Sequence, residues 1–243
     1  MLKKYLYFLI FVSFLVSHVA FASKSWDEVQ EILRSKKVTV ELDHVAPSTF
    51  EALLTEFTGL NFVNYLDSFD NGYTITVKVT DVSVEELLNK ARISEFDAKD
   101  PDSKLDWGWA AEAIVFGLNG TVINVNKAAK NFIRIPLQTS KGVQDLLDRI
   151  QKTEFDVQFA HCQLKEFLVY ISEIVDCPVE VTAIMAELKW QMGKDVAIRG
   201  LHGSFTPAAL LFHVVESSGI DLDDHFLYVH EDRLEIGETP GAY

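Results

Sequence analysis

Hydrophobic and polar positions alternate along this chain in two periods, and the order in which the periods follow one another occurs twice. Trp26, Val29, Ile32 and Leu33 recur at helical spacing, so Ser25 to Arg34 is predicted as a short amphipathic helix. Val38, Val40 and Leu42 alternate with Thr39 and Glu41, the period of a half-buried strand. Ser48-x-x-Glu51 reads as a capping box that opens a second helix. Phe50, Leu53, Leu54 and Phe57 form its stripe, and Gly59 stops it. Leu60 to Val63 predicts a short strand, Asp70-Asn-Gly72 a turn, and Ile75, Val77 and Val79 a third strand. Ser83-Val-Glu-Glu86 opens another helix, with Val84, Leu87, Leu88 and Ala91 inward. Ser94 to Asp106 is rich in Asp and Lys and predicts a solvated loop. Ala113 to Phe116 and Val122 to Val125 flank Asn119-Gly120, so a closing hairpin is expected there.

The second occurrence lies 117 residues further on. Val143 to Ile150 predicts the leading helix, and Phe155, Val157 and Phe159 the first strand. His161 stands where the first has His44, and Phe167 where it has Phe50. Val179 and Val181 predict a strand, Val196 and Ile198 the start of another, and Thr206-Pro207 the cap of a last helix. Phe226 to Val229 and Arg233 to Ile236 predict a closing hairpin. Aligning 26–64 with 143–181 leaves four identities, Val40/Val157, His44/His161, Phe50/Phe167 and Glu56/Glu173, so the hydrophobic pattern carries the duplication. An α+β fold of two tandem βαββα modules follows, each with a leading helix and a closing hairpin. The expected boundaries are 23–130 and 142–238, with a linker at 131–141 and a tail at 239–243.

Export changes this picture at the N-terminus. Lys3 and Lys4, an apolar run from Tyr5 to Val16, and Ala20-Phe-Ala22 predict a signal peptide cleaved near Ala22-Ser23, hence a periplasmic or otherwise exported protein. Two of the 22 basic residues, Lys3 and Lys4, lie in that leader. The mature chain thus carries 20 basic and 36 acidic residues, a net charge of −16. Such a surface repels nucleic-acid backbones and anionic lipid. Neither nucleic-acid binding nor membrane insertion after cleavage is expected. Cys162 and Cys177 flank a predicted helix of about 18 Å, too long for the ~5.5 Å of a disulfide, so both are expected as buried thiols.

The first occurrence resembles a known family. Val40-Glu-Leu-Asp-His-Val45, Thr58-Gly-Leu-Asn-Phe-Val63 and Val79-Thr-Asp-Val-Ser-Val-Glu-Glu-Leu-Leu88 are similar to the secretin and TonB N-terminal short domain. The second occurrence resembles it in pattern alone, with Cys177-Pro178 and Leu201-His-Gly-Ser-Phe-Thr-Pro207 in place of the specific steps. The resemblance implies a periplasmic βαββα module that docks proteins in secretion, pilus or TonB-linked assembly, with no catalytic residues and no cofactor.

Candidate chemistry is sparse beside this. His44 and His161 are read as parts of the frame. Asp221, Asp223, Asp224, His225 and His230, and separately Asp97, Asp100, Asp102 and Asp106, are acidic clusters that solvated turns explain as well as a metal does. No motif sets a Ser or Cys beside an ordered base, so no enzyme is expected. Trp107 and Trp109, with Leu201 and Phe205, are the expected partner-binding residues, where the two occurrences differ. The expected partner is another envelope protein or a second copy, and recognition is expected by strand addition at a sheet edge or by module stacking. A periplasmic small-molecule or peptidoglycan-binding domain is the competing expectation.

Overall fold

The computed structural model describes residues 24–66, 72–95, 103–135, 139–159, 162–181, 197–198, 201–217 and 225–238. Within these the fold is α+β, with seven helices over small antiparallel and mixed sheets. No described helix is long and apolar enough to cross a membrane. The predicted signal peptide, the Asp70-Asn71 turn, His161 and the Asp97–Asp102 and Asp221–Asp224 clusters lie outside the described residues.

The first repeat begins with α1 (Trp26–Ser35), where Ser25 and Glu28 close a capping box. Strand β1 (Lys37–Val45) follows, then α2 (Pro47–Thr58). The Ser48/Glu51 capping box does not form. Ala46 is the N-cap, without a side-chain bond, and Pro47 takes the first helical turn. Glu51 instead points inward and is 0% exposed. Its Oε2 accepts the Asn64 backbone N–H (3.1 Å) and Asn64 Nδ2 (2.5 Å). Burial of Phe50 and Leu54 on the same face turns the glutamate inward with them. Gly59 ends α2 at φ 70°.

Strands β2 (Phe62–Asn64) and β3 (Tyr73–Ser83), helix α3 (Val84–Lys90) and strands β4 (Arg92–Glu95) and β5 (Ser103–Lys104) come next. Both described ends of the expected Ser94–Asp106 loop are therefore strand: Ser94 is buried in β4 with Ile93, and Ser103 pairs with Ile93. The hairpin expected around Asn119-Gly120 is also corrected. Strand β7 (Ala113–Gly117) turns back on β6 (Asp106–Ala110), through Ala111 and Glu112 at φ 45° and 65°. These are the positive angles of a tight hairpin turn. Gly120, at φ 93°, opens helix α4 (Thr121–Asn131). Asp106 decides this outcome: its Oδ2 accepts the N–H groups of Gly120 (3.0 Å) and Val122 (3.2 Å), capping the helix from the neighbouring strand.

Strand β8 (Ile133–Arg134) lies in the expected linker. The second repeat then runs α5 (Lys141–Lys152), β9 (Phe155–Phe159), β10 (Cys162–Gln163), α6 (Leu164–Val175), β11 (Val179–Val181), β12 (Ala197–Ile198), β13 (Leu201–Phe205), α7 (Pro207–Ser217), β14 (His225–Val229) and β15 (Leu234–Glu238). Pairing repeats with the order. β2 lies parallel to β7, and β7 antiparallel to β6. β11 lies parallel to β15, and β15 antiparallel to β14. β1 pairs antiparallel with β3, as β9 does with β13. The 117-residue offset holds from Phe62 of β2 to Val179 of β11, and their parallel partners Ile114 and Leu234 lie 120 apart.

The repeats do not stand apart as 23–130 and 142–238. One five-stranded sheet, ordered β6-β7-β2-β13-β9, crosses from one to the other, with His202 opposite Phe62. Alternation sends Phe62, Ile114 and Phe116 into the first core, and Val63, Ala113 and Val115 into the second. Val125 and Ala128 of α4 also belong to the second core. The first repeat's own core thus ends near Leu118, and the segment after it serves the second repeat.

Candidate functional site

The expected partner-binding residues separate into two places. Leu201 and Phe205 are 2% and 0% exposed, so they form no docking surface. β13 is flanked by β2 and β9, and its inward residues complete the second core. Trp107 and Trp109 sit on β6, one of the two outermost strands of the shared sheet, and are half-buried. Trp109 stacks on Trp26 at 6.0 Å, and Trp107 Nε1 donates to Asn89 Oδ1 at 3.1 Å. Both rings lean on the first core while part of their surface stays open.

Among the described residues β6 pairs with β7 alone. In an antiparallel hairpin closed by a two-residue turn, the flanking residues exchange both backbone bonds and later pairs alternate. Ala110, Gly108 and Asp106 therefore bond β7, and the N–H and C=O groups of Trp107 and Trp109 face the open edge. On the other face of β6, α4 lies so close that a Cβ on Gly108 would meet Val122 Cγ1 at 2.6 Å. The site is an aromatic edge strand stiffened from behind by a helix.

A partly buried polar cluster joins the repeats. Asn61 Oδ1 accepts Ser204 N–H (2.9 Å), while its Nδ2 donates to the carbonyls of Glu112 (3.0 Å) and Ser204. Glu112 accepts from Thr206 N–H (2.9 Å) and Oγ1 (3.0 Å). His213, on α7, reaches Ala111 O through Nε2 (2.8 Å) and Tyr65 OH through Nδ1 (2.9 Å). A carbonyl only accepts, so Nε2 carries the proton and the tyrosine donates to Nδ1. Burial lowers the His213 pKa to about 4, only partly opposed by the bond to Ala111. Burial pushes Tyr65 well above its usual range, and Glu216 and Glu51 add to it. Burial also raises Glu112, against the two bonds from Thr206, and raises Glu154, with Glu112 adding to it.

These shifted groups belong to a clamp. Tyr65 is buried in the second core, and His213 is buried against Phe205 and Phe212 of the same core. Sequence reasoning missed Asn61, Tyr65, Glu112 and His213, because nothing local marks them. Thr206 was visible as a helix cap, and it does accept Ala209 N–H.

The remaining candidates have structural places. His44 is a bulge residue at φ 51°, its N–H held by Thr76 Oγ1 at 3.1 Å. Cys177 is a buried free thiol whose pKa burial raises. His230 Nε2 lies 2.9 Å from Glu235. Among the described residues no three His, Cys, Asp or Glu side chains converge on a metal position. An open groove lined by Asp27, Gln30, Glu31, Arg34 and Ser35 runs along α1. Comparison of the chain with protein-family models, curated proteins and solved structures finds no match.

Proposed function

We propose that this chain is an exported, non-catalytic docking protein, built of two modules of the secretin and TonB N-terminal short-domain kind. It takes up an extended segment of another envelope protein along β6. The observation that carries this reading is the aromatic edge: Trp107 and Trp109 are half-buried on an outermost strand, and their backbone groups point outward. Strand addition satisfies such groups directly, and flanking side chains give selectivity. The charge of −14, deepening to −16 after the predicted cleavage, favours a partner segment with basic residues.

The test compares two baits in envelope extract: mature chain, and mature chain carrying Trp107→Thr and Trp109→Thr, which keep strand propensity and remove the rings. The expected result is a partner retained by the first and lost by the second, with unchanged circular dichroism. Equal recovery on both baits, or no recovery above a charge-matched control, overturns the reading.

A further inference from the structure

The second repeat already carries a guest at the position that β6 leaves open among the described residues. The register fixes the equivalence. Phe62 and Val179 are matched, so their partners Ile114 and Leu234 are matched. The residues opposite those, Trp109 and Val229, are matched in turn. By the same step Trp107 corresponds to Leu227, and Gly108 to Tyr228. Strand β8 lies against β14 there, parallel, with Ile133 opposite Leu227 and Arg134 opposite Tyr228. Leu227 N–H donates to Phe132 O at 2.7 Å. The Arg134 guanidinium sits 4.1 Å from the Phe226 ring centroid. With β8 in place, Leu227 and Val229 are 0% and 1% exposed. Trp107 and Trp109, at the matching positions, are half-buried.

The other long edge of the first repeat is built to refuse a guest. β1 carries a bulge at Asp43-His44, and faces another at Thr80-Asp81 of β3. Its outward side chains Lys37, Thr39, Glu41 and Asp43 are exposed and mostly charged. Bulges and charges are the usual protection of an edge. β6 keeps an unbroken five-pair register and carries no exposed charge. Its one carboxylate, Asp106, is held by the N-terminus of α4.

We infer that β6 binds its guest as β8 binds β14: parallel, with the guest carbonyl on Trp107 N–H, and with a segment of apolar-apolar-basic character like Phe132-Ile133-Arg134. This rests on the docking reading above and adds orientation, register and guest chemistry. The residue opposite Trp107 is apolar and packs on the Trp107/Trp109 rings. The next residue lies on the α4 side of the sheet, where its long aliphatic stem meets apolar surface and its cation suits the acidic protein.

The probe is a synthetic peptide with the sequence of residues 130–136, added to the mature chain. β14 is already occupied by β8 within the chain, so the peptide reports on β6. Saturable binding is expected by tryptophan fluorescence. Trp107→Pro, which removes the outward N–H, weakens it about tenfold or more. Trp107→Thr, which keeps the N–H, weakens it less. A spin label on the peptide N-terminus broadens amides at the Asp106 end of β6, and a C-terminal label those at the Ala110 end. Reversed broadening, no saturable binding, or binding indifferent to Trp107→Pro overturns the inference. The docking reading survives any of these if the envelope partner still depends on Trp107 and Trp109, and falls separately if it does not.

Discussion

Where the second repeat buries Leu168, the first buries Glu51, one residue after matching phenylalanines on matching helices. Across from them Asn64 stands where the second repeat has Val181. The frame is the same and the filling differs. Polar filling collects where the first repeat leans on the second: Glu51 and Asn64 lie beside Tyr65, and Tyr65 bonds His213 of α7. The last helices differ in the same sense. Counted from their caps at Ser83 and Thr206, Lys90 and His213 are equivalent. Lys90 ends its helix in solvent beside Glu86, whereas His213 is fully buried against Phe205 and Phe212. The two frames repeat one order of elements, and the polar differences lie where they meet.

The comparison breaks first at Glu51. Glu51→Leu installs the second repeat's residue but strands the Asn64 backbone and amide donors. At about 1–3 kcal/mol for each buried donor left without an acceptor, the loss is about 4 kcal/mol in urea unfolding. Adding Asn64→Val completes the exchange and recovers about half of it, because the amide donor goes while the backbone N–H stays. Additive losses would mean that the repeats are not interchangeable at this position.

His213 supplies the next largest effect. Its folded pKa of about 4 lies below the unfolded 6.5, so the unfolded chain binds more protons between those values. Stability is full above pH 6.5 and falls as pH drops toward 4, by at most about 3 kcal/mol at 1.36 kcal/mol per unit. Glu112 opposes this, since its raised pKa favours the folded state as pH falls toward the usual carboxylate range. Comparing stability against pH for wild type and His213→Gln isolates the histidine. A slope that survives the substitution assigns the pH dependence elsewhere.

Periodicity carried much of this fold and little of its joining. Leading helices, alternating strands and the β14–β15 hairpin follow from apolar spacing, because each is decided by which face is buried. The β6–β7 hairpin did not, since Asn119-Gly120 is as good a helix entry as a hairpin turn, and Asp106, fourteen residues away, decides between them. Ser48 and Glu51 had the spacing of a capping box, but burial of the neighbouring Phe50 outweighed it. The shared sheet was illegible because β2 and β13 are more than a hundred residues apart, and Asn61 and Glu112 look like ordinary loop residues until that pairing exists. Of the expected docking residues, the tryptophans lie on an open edge and Leu201 and Phe205 in a core. An alternating strand reads alike whether its neighbours cover one side or both.

Gly203 sharpens the comparison with the smallest effect. It faces Val157 on β9, as Val79 faces Val40 in the first repeat. Its φ of 136° is one that side chains rarely adopt, and an added Cβ would sit 2.1 Å from Asn61 Oδ1. The valine of the first repeat is thus replaced by glycine where the second must admit the Asn61 clamp. Gly203→Ala forces the backbone or the clamp to move, at a cost of about 2 kcal/mol. The exchange rate of Ser204 N–H, which bonds Asn61, rises with it. Combining it with Asn61→Gly removes the clash and leaves the backbone strain, so part of the loss returns. If Gly203→Ala leaves Ser204 exchange unchanged, the two repeats are held together by their cores and not by this joint.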